Sequence, residues 1–398
     1  MSNTTAPYIP NELLQRIAAG AAERDAKREL PFALIQEIKA SGFGRQRLSS
    51  TFGGGGITLV DTFSAAFLLA EADPNVAHIW RNHHVVLDRL LNTPSQHPLL
   101  NRLRARVIAG DMIGQANTEM NHPQIGGNVP FFSKLIKNNG KYELNGKKFY
   151  STGALFSDWI YAPVSLEDDS RVIVILPKDR QGVDTIDDWM GMGQRLTGSG
   201  TTIFDHVCVE PDEILFPGDI PQQQGQFGST IAQLYLTSIV AGIVSALTRD
   251  AAELLGKRKR NFYYAPDPAG ARDPLLLAAL GEQQADAFAV RAIVLAAATV
   301  ADRAYAALIA EDSEAGNYLQ AAAAAAAKAK ITVDRIAQHT ASALFDIAGA
   351  SATLMTHNLD RHWRNIRTLS SHNPASHKAY ALGNLSVNGV PLPAQGFF

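Results

Sequence analysis

Apolar positions along this chain follow two different periods, and the switch between them divides it. In the first third, Leu13, Leu14, Ile17, Ala18 and Ala21 keep helical spacing, as do Phe32, Ile35 and Ile38. Gly42 and Gly44 end the second run, and Gly53-Gly54-Gly55-Gly56 reads as a flexible turn. Thr58 and Asp61 then form a capping-box-like start to an apolar stripe of Leu59, Phe63, Ala66, Phe67 and Ala70, which Asp73-Pro74 stops. Two further helices are predicted over 76–91 and 98–109.

Beyond Asp111 the runs shorten and alternate. Lys141 to Leu144 and Lys147 to Tyr150, separated by Asn145-Gly146, read as a hairpin with a two-residue turn. Strands are also predicted over 159–164 and 171–176, around an Asp168-Asp169-Ser170 turn, and over 201–209. Helical patterning returns over 227–358 in segments longer than a typical surface helix. One of them, 231–247, is uncharged, but it carries Gln233, Thr237 and Ser238 and runs into Arg249, Asp250 and Glu253. That pattern suits a helix buried in a bundle better than a membrane span. The expected fold is therefore α+β with three lobes: a helical lobe (1–112), a small β-barrel or sandwich (113–222) and a C-terminal four-helix bundle (223–398).

Composition narrows the function. The chain has 398 residues, 46% hydrophobic and 19% charged, with a net charge of -2, so nothing draws it to nucleic acid or anionic lipid. The one cysteine, Cys208, precludes an internal disulfide and a cysteine zinc site and suits a reducing cytoplasm. No basic start followed by an apolar run marks a signal peptide in the first ten residues. His83 and His84 are neighbours and His372 and His377 lack acidic companions, so no metal site is expected. There is no G-x-G-x-x-G or Walker-type loop, so a bound phosphate would fall to arginine or lysine.

The lobe order and several motifs resemble the acyl-CoA dehydrogenase superfamily. Ala116-Asn117-Thr118-Glu119 looks like the A-x-T-E segment that opens the family's β lobe. Asn145-Gly146-Lys147-Lys148-Phe149-Tyr150-Ser151-Thr152-Gly153 is similar to the segment that lies beside the flavin ring. Gly193 to Thr201, continuing to Phe204-Asp205-His206-Val207, resembles the G-x-R-x-S-x-T…F-x-D-V-x-V pattern, and Gly281-Glu282, Arg291 and 344–349 match the C-terminal lobe. Two departures stand out. Glu119 is followed by Met120-Asn121-His122 rather than P-x-A-G-S-D, and no Asp or Glu occurs between Arg361 and the C-terminus, where dehydrogenases keep their α-proton base. His362-Trp363-Arg364-Asn365, Arg367-Thr368 and Ser371-His372-Asn373-Pro374, with Trp80-Arg81-Asn82-His83, instead resemble the dibenzothiophene monooxygenase-like branch of two-component flavin enzymes.

That resemblance implies reduced FMN from a separate NAD(P)H:flavin reductase, reaction with O2 through a flavin hydroperoxide, and oxygen transfer to sulfur, nitrogen or an electron-rich ring. It implies a cytoplasmic homotetramer. The catalytic candidates are His372, in place of the lost carboxylate, with Ser151 and His83; His84 points elsewhere and reads as packing. Asn117 and one of Ser151 or Thr152 are expected at the flavin ring. One of Arg258 or Arg260, in Lys257-Arg258-Lys259-Arg260, is expected at the phosphate across a subunit interface, although cations also favour a helix C-terminus. Two rival readings stay open: an FAD-dependent acyl-CoA dehydrogenase, and a non-catalytic flavin-binding protein.

Overall fold

The structure, a computed structural model, describes residues 8–120, 122, 124, 126–127, 129–138, 140–394 and 398. The first lobe comprises α1 (Asn11–Ala19), α2 (Ala21–Lys27), α3 (Phe32–Ala40), α4 (Leu59–Ala72), α5 (Pro74–Val86) and α6 (Pro98–Ile108). The Thr58 side chain caps α4 in a complete capping box with Asp61. Asp302 adds a second cap from the far lobe, its carboxylate accepting from Leu59 N at 2.7 Å and Val60 N at 3.1 Å. Asp73 starts α5 in the same way, with Pro74 at its first position. The helix predicted over 76–91 changes character at its end. Leu87–Leu91 forms a π turn, a feature that often marks a functional site.

The second lobe holds β1 (Ile113–Gln115), β2 (Lys134–Asn138), β3 (Lys141–Lys148), β4 (Trp159–Ser165), β5 (Arg171–Pro177), β6 (Val183–Thr185), β7 (Thr202–Val209) and β8 (Ile214–Leu215). They form one mixed sheet in the order β6-β7-β3-β2-β4-β5-β8, with β1 parallel to β4. Leu135, Leu144, Ile160, Val174, Phe204 and Val207 share one apolar cluster inside it. The hairpin expected at Asn145-Gly146 is not there. β3 runs straight through those residues with a bulge between Leu144 and Gly146, and the turn lies between Asn138 and Lys141, where Gly140 has φ 80°. A Cβ on Gly146 would meet Ser133 Oγ at 2.2 Å, so the glycine admits a neighbouring backbone rather than making a turn.

The third lobe is built on α7 (Gln222–Lys257), α8 (Pro274–Ile309) and α9 (Ala315–Ala348), closed by α10 (Asp360–Ser370) and α11 (Ala375–Asn388). The apolar stretch of α7 is buried among the other helices, as a bundle core requires. Small residues let α7 approach the first lobe: a Cβ on Gly242 would meet Phe67 O at 2.5 Å. One apolar cluster is continuous from Leu13 and Phe63 through Ile231 and Tyr235 to Val294 and Leu344. The helical lobes share a core, and the sheet leans against their seam.

Candidate active site

The seam is where the polar candidates meet, and one face of α5 organises it. Asn82 Nδ2 donates to Thr152 O at 2.7 Å, tying the helix to the segment after β3. Arg81 Nε donates to Ala232 O of α7 at 3.0 Å. His78 Nδ1 lies 3.0 Å from Gln194 Oε1, and Gln194 N donates to Asn365 Oδ1 of α10 at 2.6 Å. From the turn between α10 and α11, Asn373 Nδ2 donates to Gln233 Oε1 of α7 at 2.6 Å. His372 stands beside it, and Arg81, His78, Lys330 and Lys378 all weigh on its charge. Three lobes therefore converge on His78, Arg81, Asn82, Gln233 and His372.

The backbone of the β lobe is bent to fit this junction. Tyr150 (φ 56°) and Gln194 (φ 53°) are both left-handed without being glycine, a strain of about 1 kcal/mol or more each that concentrates at functional sites. Thr152 Oγ1, Ser199 Oγ and Thr197 Oγ1 form a hydroxyl chain with links of 2.7 and 2.6 Å that ends on Gln194 O. Ser151 differs: its hydroxyl is buried with no hydrogen-bond partner among the described residues, and so is Asn117 Oδ1. Asn117 Nδ2 is held by Gln115 Oε1 at 2.8 Å, which fixes the direction of the free oxygen.

Electrostatically the junction is cationic with neutral imidazoles. Burial is the largest influence on His78, whose pKa falls to about 3, with Arg81 adding to the effect. Burial likewise takes His372 well below the ordinary histidine value, helped first by Arg81. Arg81 itself drops to about 10 through burial and the nearby Arg89, so it keeps its charge at neutral pH. Lys330 and Lys378 are 4% and 2% exposed, and Lys330 is bound to Asp334 at 2.7 Å.

The comparisons agree with this picture. Residues 234–377 match the family described as acyl-CoA dehydrogenase, C-terminal domain. Over 98% of the chain and 96% of the relative, it is 30% identical to a probable FMNH2-dependent monooxygenase, SfnC, of Pseudomonas putida. The chain belongs to the FMNH2-dependent monooxygenases of the acyl-CoA dehydrogenase fold. It is 28% identical to the dibenzothiophene monooxygenase of Rhodococcus qingshengii over 97% of the chain and 94% of that protein. The solved structure of methanesulfinate monooxygenase MsuC from Pseudomonas fluorescens superposes with a TM-score of 0.86 at 27% identity, covering 99% of both chains.

Within this monooxygenase the residues fit the cofactor. A flavin ring carries N–H and carbonyl groups along its polar edge, and Ser151 Oγ and Asn117 Oδ1 are buried polar atoms in need of such partners. Of the pair that sequence alone left open, Thr152 spends its hydroxyl on Ser199 while Ser151 keeps its own. Glu119, from the A-x-T-E motif, is a brace: it accepts from Lys148 Nζ at 2.7 Å, Phe132 N at 2.6 Å and Ser133 N at 2.9 Å.

One expectation changes. His83 does not face the junction. It is fully buried, its Nε2 lies 2.8 Å from Gly44 O and its Nδ1 accepts from Ile113 N at 3.1 Å, so both ring nitrogens are spent on backbone and none remains for substrate. Arg258 donates to Ile347 O and Arg260 O, both at 3.1 Å, tying the loop after α7 to the end of α9, while Arg260 is exposed. Both lie beyond the end of α7, whose Lys257 stands about 36 Å of helix from Gln233, so a contact with a flavin phosphate would run to a second copy of the chain. Trp80, Phe156 and Phe227 are buried in packing, and Trp189 Nε1 donates to Gln194 O at 2.9 Å.

The residue that sequence reading passed over is His78. The signal was present in the helical phase: Val76, Trp80, His83 and Leu87 repeat at spacings of four, three and four, the buried stripe, whereas His78 and Asn82 share another face.

Proposed function

We propose that this monooxygenase oxygenates a small sulfur- or nitrogen-containing substrate at the α5–α7–α10 junction, with FMN reduced elsewhere by a separate reductase. The observation that carries the reading is the meeting of three lobes at α5. There Asn82 bonds Thr152 O beside the buried Ser151 hydroxyl that has no partner among the described residues, and His78 bonds Gln194, which in turn bonds Asn365 of α10. Reduced FMN, when bound, supplies the two electrons that allow one oxygen atom to enter substrate and the other to leave as water. Ser151 and Asn117 hold the ring edge. His372 replaces a base with a neutral imidazole, which donates at one nitrogen and accepts at the other and so passes a proton to the oxygen that leaves as water. His78 steadies the same oxygen while Gln194 fixes its tautomer. His78, Arg81 and Asn82 are buried at the seam, and limiting water there disfavours uncoupled release of hydrogen peroxide.

The rival dehydrogenase reading lacks its base near the end of the chain. The α10–α11 turn carries His372, and no Asp or Glu follows Arg361. Exposed Phe262, Tyr263, Tyr264, Phe288 and Met355 support a multimer, in which Arg260 of one copy reaches the FMN phosphate of another. The relatives and the single exposed cysteine support a cytoplasmic setting. Equilibrium titration tests the cofactor: reduced FMN is expected to bind more tightly than oxidised FMN, and FAD to gain nothing from its adenine half. Co-purifying FAD that survives dialysis would contradict this.

A further inference from the structure

The inward face of α9 is small and apolar along most of its length, with Ala322, Ala326, Val333, Ala337 and Ala341 all buried. Lys330 and Asp334 interrupt it. They are buried one turn apart, with Nζ 2.7 Å from Oδ2. Such a pair adds little to stability, because the cost of taking two charges out of water offsets their attraction. Apolar side chains of similar volume commonly hold a core as well or better. Stability therefore does not account for the pair, and its surroundings suggest another use.

The Lys330 ammonium also reaches the end of α10, 3.4 Å from Ser370 O. Ser370 is the last residue of that helix, and its carbonyl belongs to the negative end of the helix dipole, where a cation is favoured. The turn that follows carries His372 and Asn373. The backbone N–H of His372 returns to Leu369 O at 3.2 Å, and Asn373 Nδ2 donates to Gln233 Oε1 at 2.6 Å. The turn is thus held from α7 on one side and, through Lys330, from α9 on the other. From α11, Lys378 brings a second buried ammonium, with the Phe398 ring centre 4.4 Å from its Nζ. Burial and then Lys330 lower the Lys378 pKa to about 8, so it keeps most of its charge at neutral pH.

The charges around His372 come from each element packed against it. Burial is the first influence that disfavours a proton there, followed by Arg81 and His78 of α5, Lys330 of α9 and Lys378 of α11. Asp334, which could favour one, is engaged by Lys330. We propose that Lys330 is a positioning residue for His372: its ammonium fixes the α10–α11 turn and, by its charge, keeps the imidazole unprotonated. The inference rests on the oxygenation reading above and adds what holds its histidine in place and neutral. An imidazolium donates at both nitrogens and accepts at neither. Its extra proton would help oxygen leave as hydrogen peroxide before substrate is attacked, in the balance FMNH2 + O2 → FMN + H2O2.

The test needs no substrate. Reduced FMN is bound to the protein, O2 is added, and the rate of hydrogen peroxide release is followed across the acid and neutral range, with urea unfolding of each variant alongside. Wild type is expected to release peroxide slowly until acid protonates His372. The double variant Lys330→Met/Asp334→Leu removes both charges together, so neither is left unpaired, and it should unfold at the urea concentration of wild type or above. Its rise in peroxide release should nevertheless move to higher pH by about one unit, which is about ten-fold faster release on the acid side. Asp334→Asn keeps the ammonium and offers it an amide oxygen, so it should not move the rise upward. A pair that only braced the fold would change unfolding in these variants and leave the pH of the rise alone. An unmoved rise in the double variant overturns the proposal, as does an equal upward shift in Asp334→Asn. His372→Ala separates the two levels, since it should release peroxide rapidly at every pH with no acid rise. If it behaves like wild type, the oxygenation reading loses its histidine. If it is fast while the double variant matches wild type, only the role of Lys330 falls.

Discussion

Two faces of α5 carry the same kinds of side chain and use them in opposite ways. His83 and His84 lie on the inner face, against Trp80, Phe43 and Tyr235, and His83 closes two backbone gaps between α5, the Gly44 turn and β1. His78, Arg81 and Asn82 lie on the outer face, where each bond runs to a different lobe and some ring or guanidinium atoms remain available. Both faces are buried, and burial holds His83 (to about 4) and His78 (to about 3) neutral alike. The difference between His83 and His78 is where their hydrogen bonds go, while His84, with neither ring nitrogen bonded among the described residues, is held by aromatic packing alone. A histidine whose nitrogens are spent on backbone is architecture; one anchored at a single nitrogen beside other lobes' polar groups can do chemistry.

The comparison breaks most visibly at His83. His83→Ala leaves Gly44 O and Ile113 N unpaired and opens a cavity, an expected cost of about 3–5 kcal/mol in urea unfolding. His78→Ala, which leaves only the one Gln194 bond unmade, is expected to cost about 1–3 kcal/mol in the same assay yet lower coupled product formation about a hundred-fold. A stable His83→Ala would return that residue to the list of functional candidates.

Acid treatment sharpens what the two faces share. His78, His83 and His362 have folded pKa values of about 3, 4 and 4, while in the unfolded chain they protonate near the ordinary value of about 6.5. Their folded forms bind fewer protons, so stability from these groups is fully present above pH 6.5 and is lost as pH falls from there toward 4. Each contributes up to about 1.4 kcal/mol per pH unit in that window. His83→Gln should flatten the fall, and an unchanged slope would mean that His83 is not buried neutral.

Smaller effects are expected at the ring edge. Ser151→Ala should weaken reduced FMN binding only a few-fold, the worth of a neutral hydrogen bond. Thr152→Ala should act on stability instead, because its hydroxyl belongs to the Ser199–Thr197 chain. The reverse assignment would show as a larger flavin effect at Thr152.

The three lobes, the capping box at Thr58 and the strands on either side of Asp168 were legible because each is written in local periodicity and capping. Asn117, Ser151 and His372 were legible only as motif positions. What the sequence hid was long-range. Asn145-Gly146 carries the strongest local turn signal, yet tertiary pairing with β2 and β7 overrides it. Arg258 looks like a free cation until Ile347 O, 89 residues away, is seen to take its bond. His78 was obscured by its neighbour: the helical phase separates it from His83, but only the packing shows which phase meets the β lobe.

His372, on the turn between α10 and α11 and in the place of a lost carboxylate, is proposed to manage the proton that lets oxygen enter substrate. Its direct test is the ratio of labelled product to hydrogen peroxide per FMNH2 consumed under labelled O2, compared among wild type, His372→Ala and His83→Gln. His372→Ala is expected still to bind reduced FMN and consume oxygen but to shift almost wholly to peroxide, while His83→Gln keeps the wild-type ratio despite lower stability. An unchanged ratio in His372→Ala would contradict it.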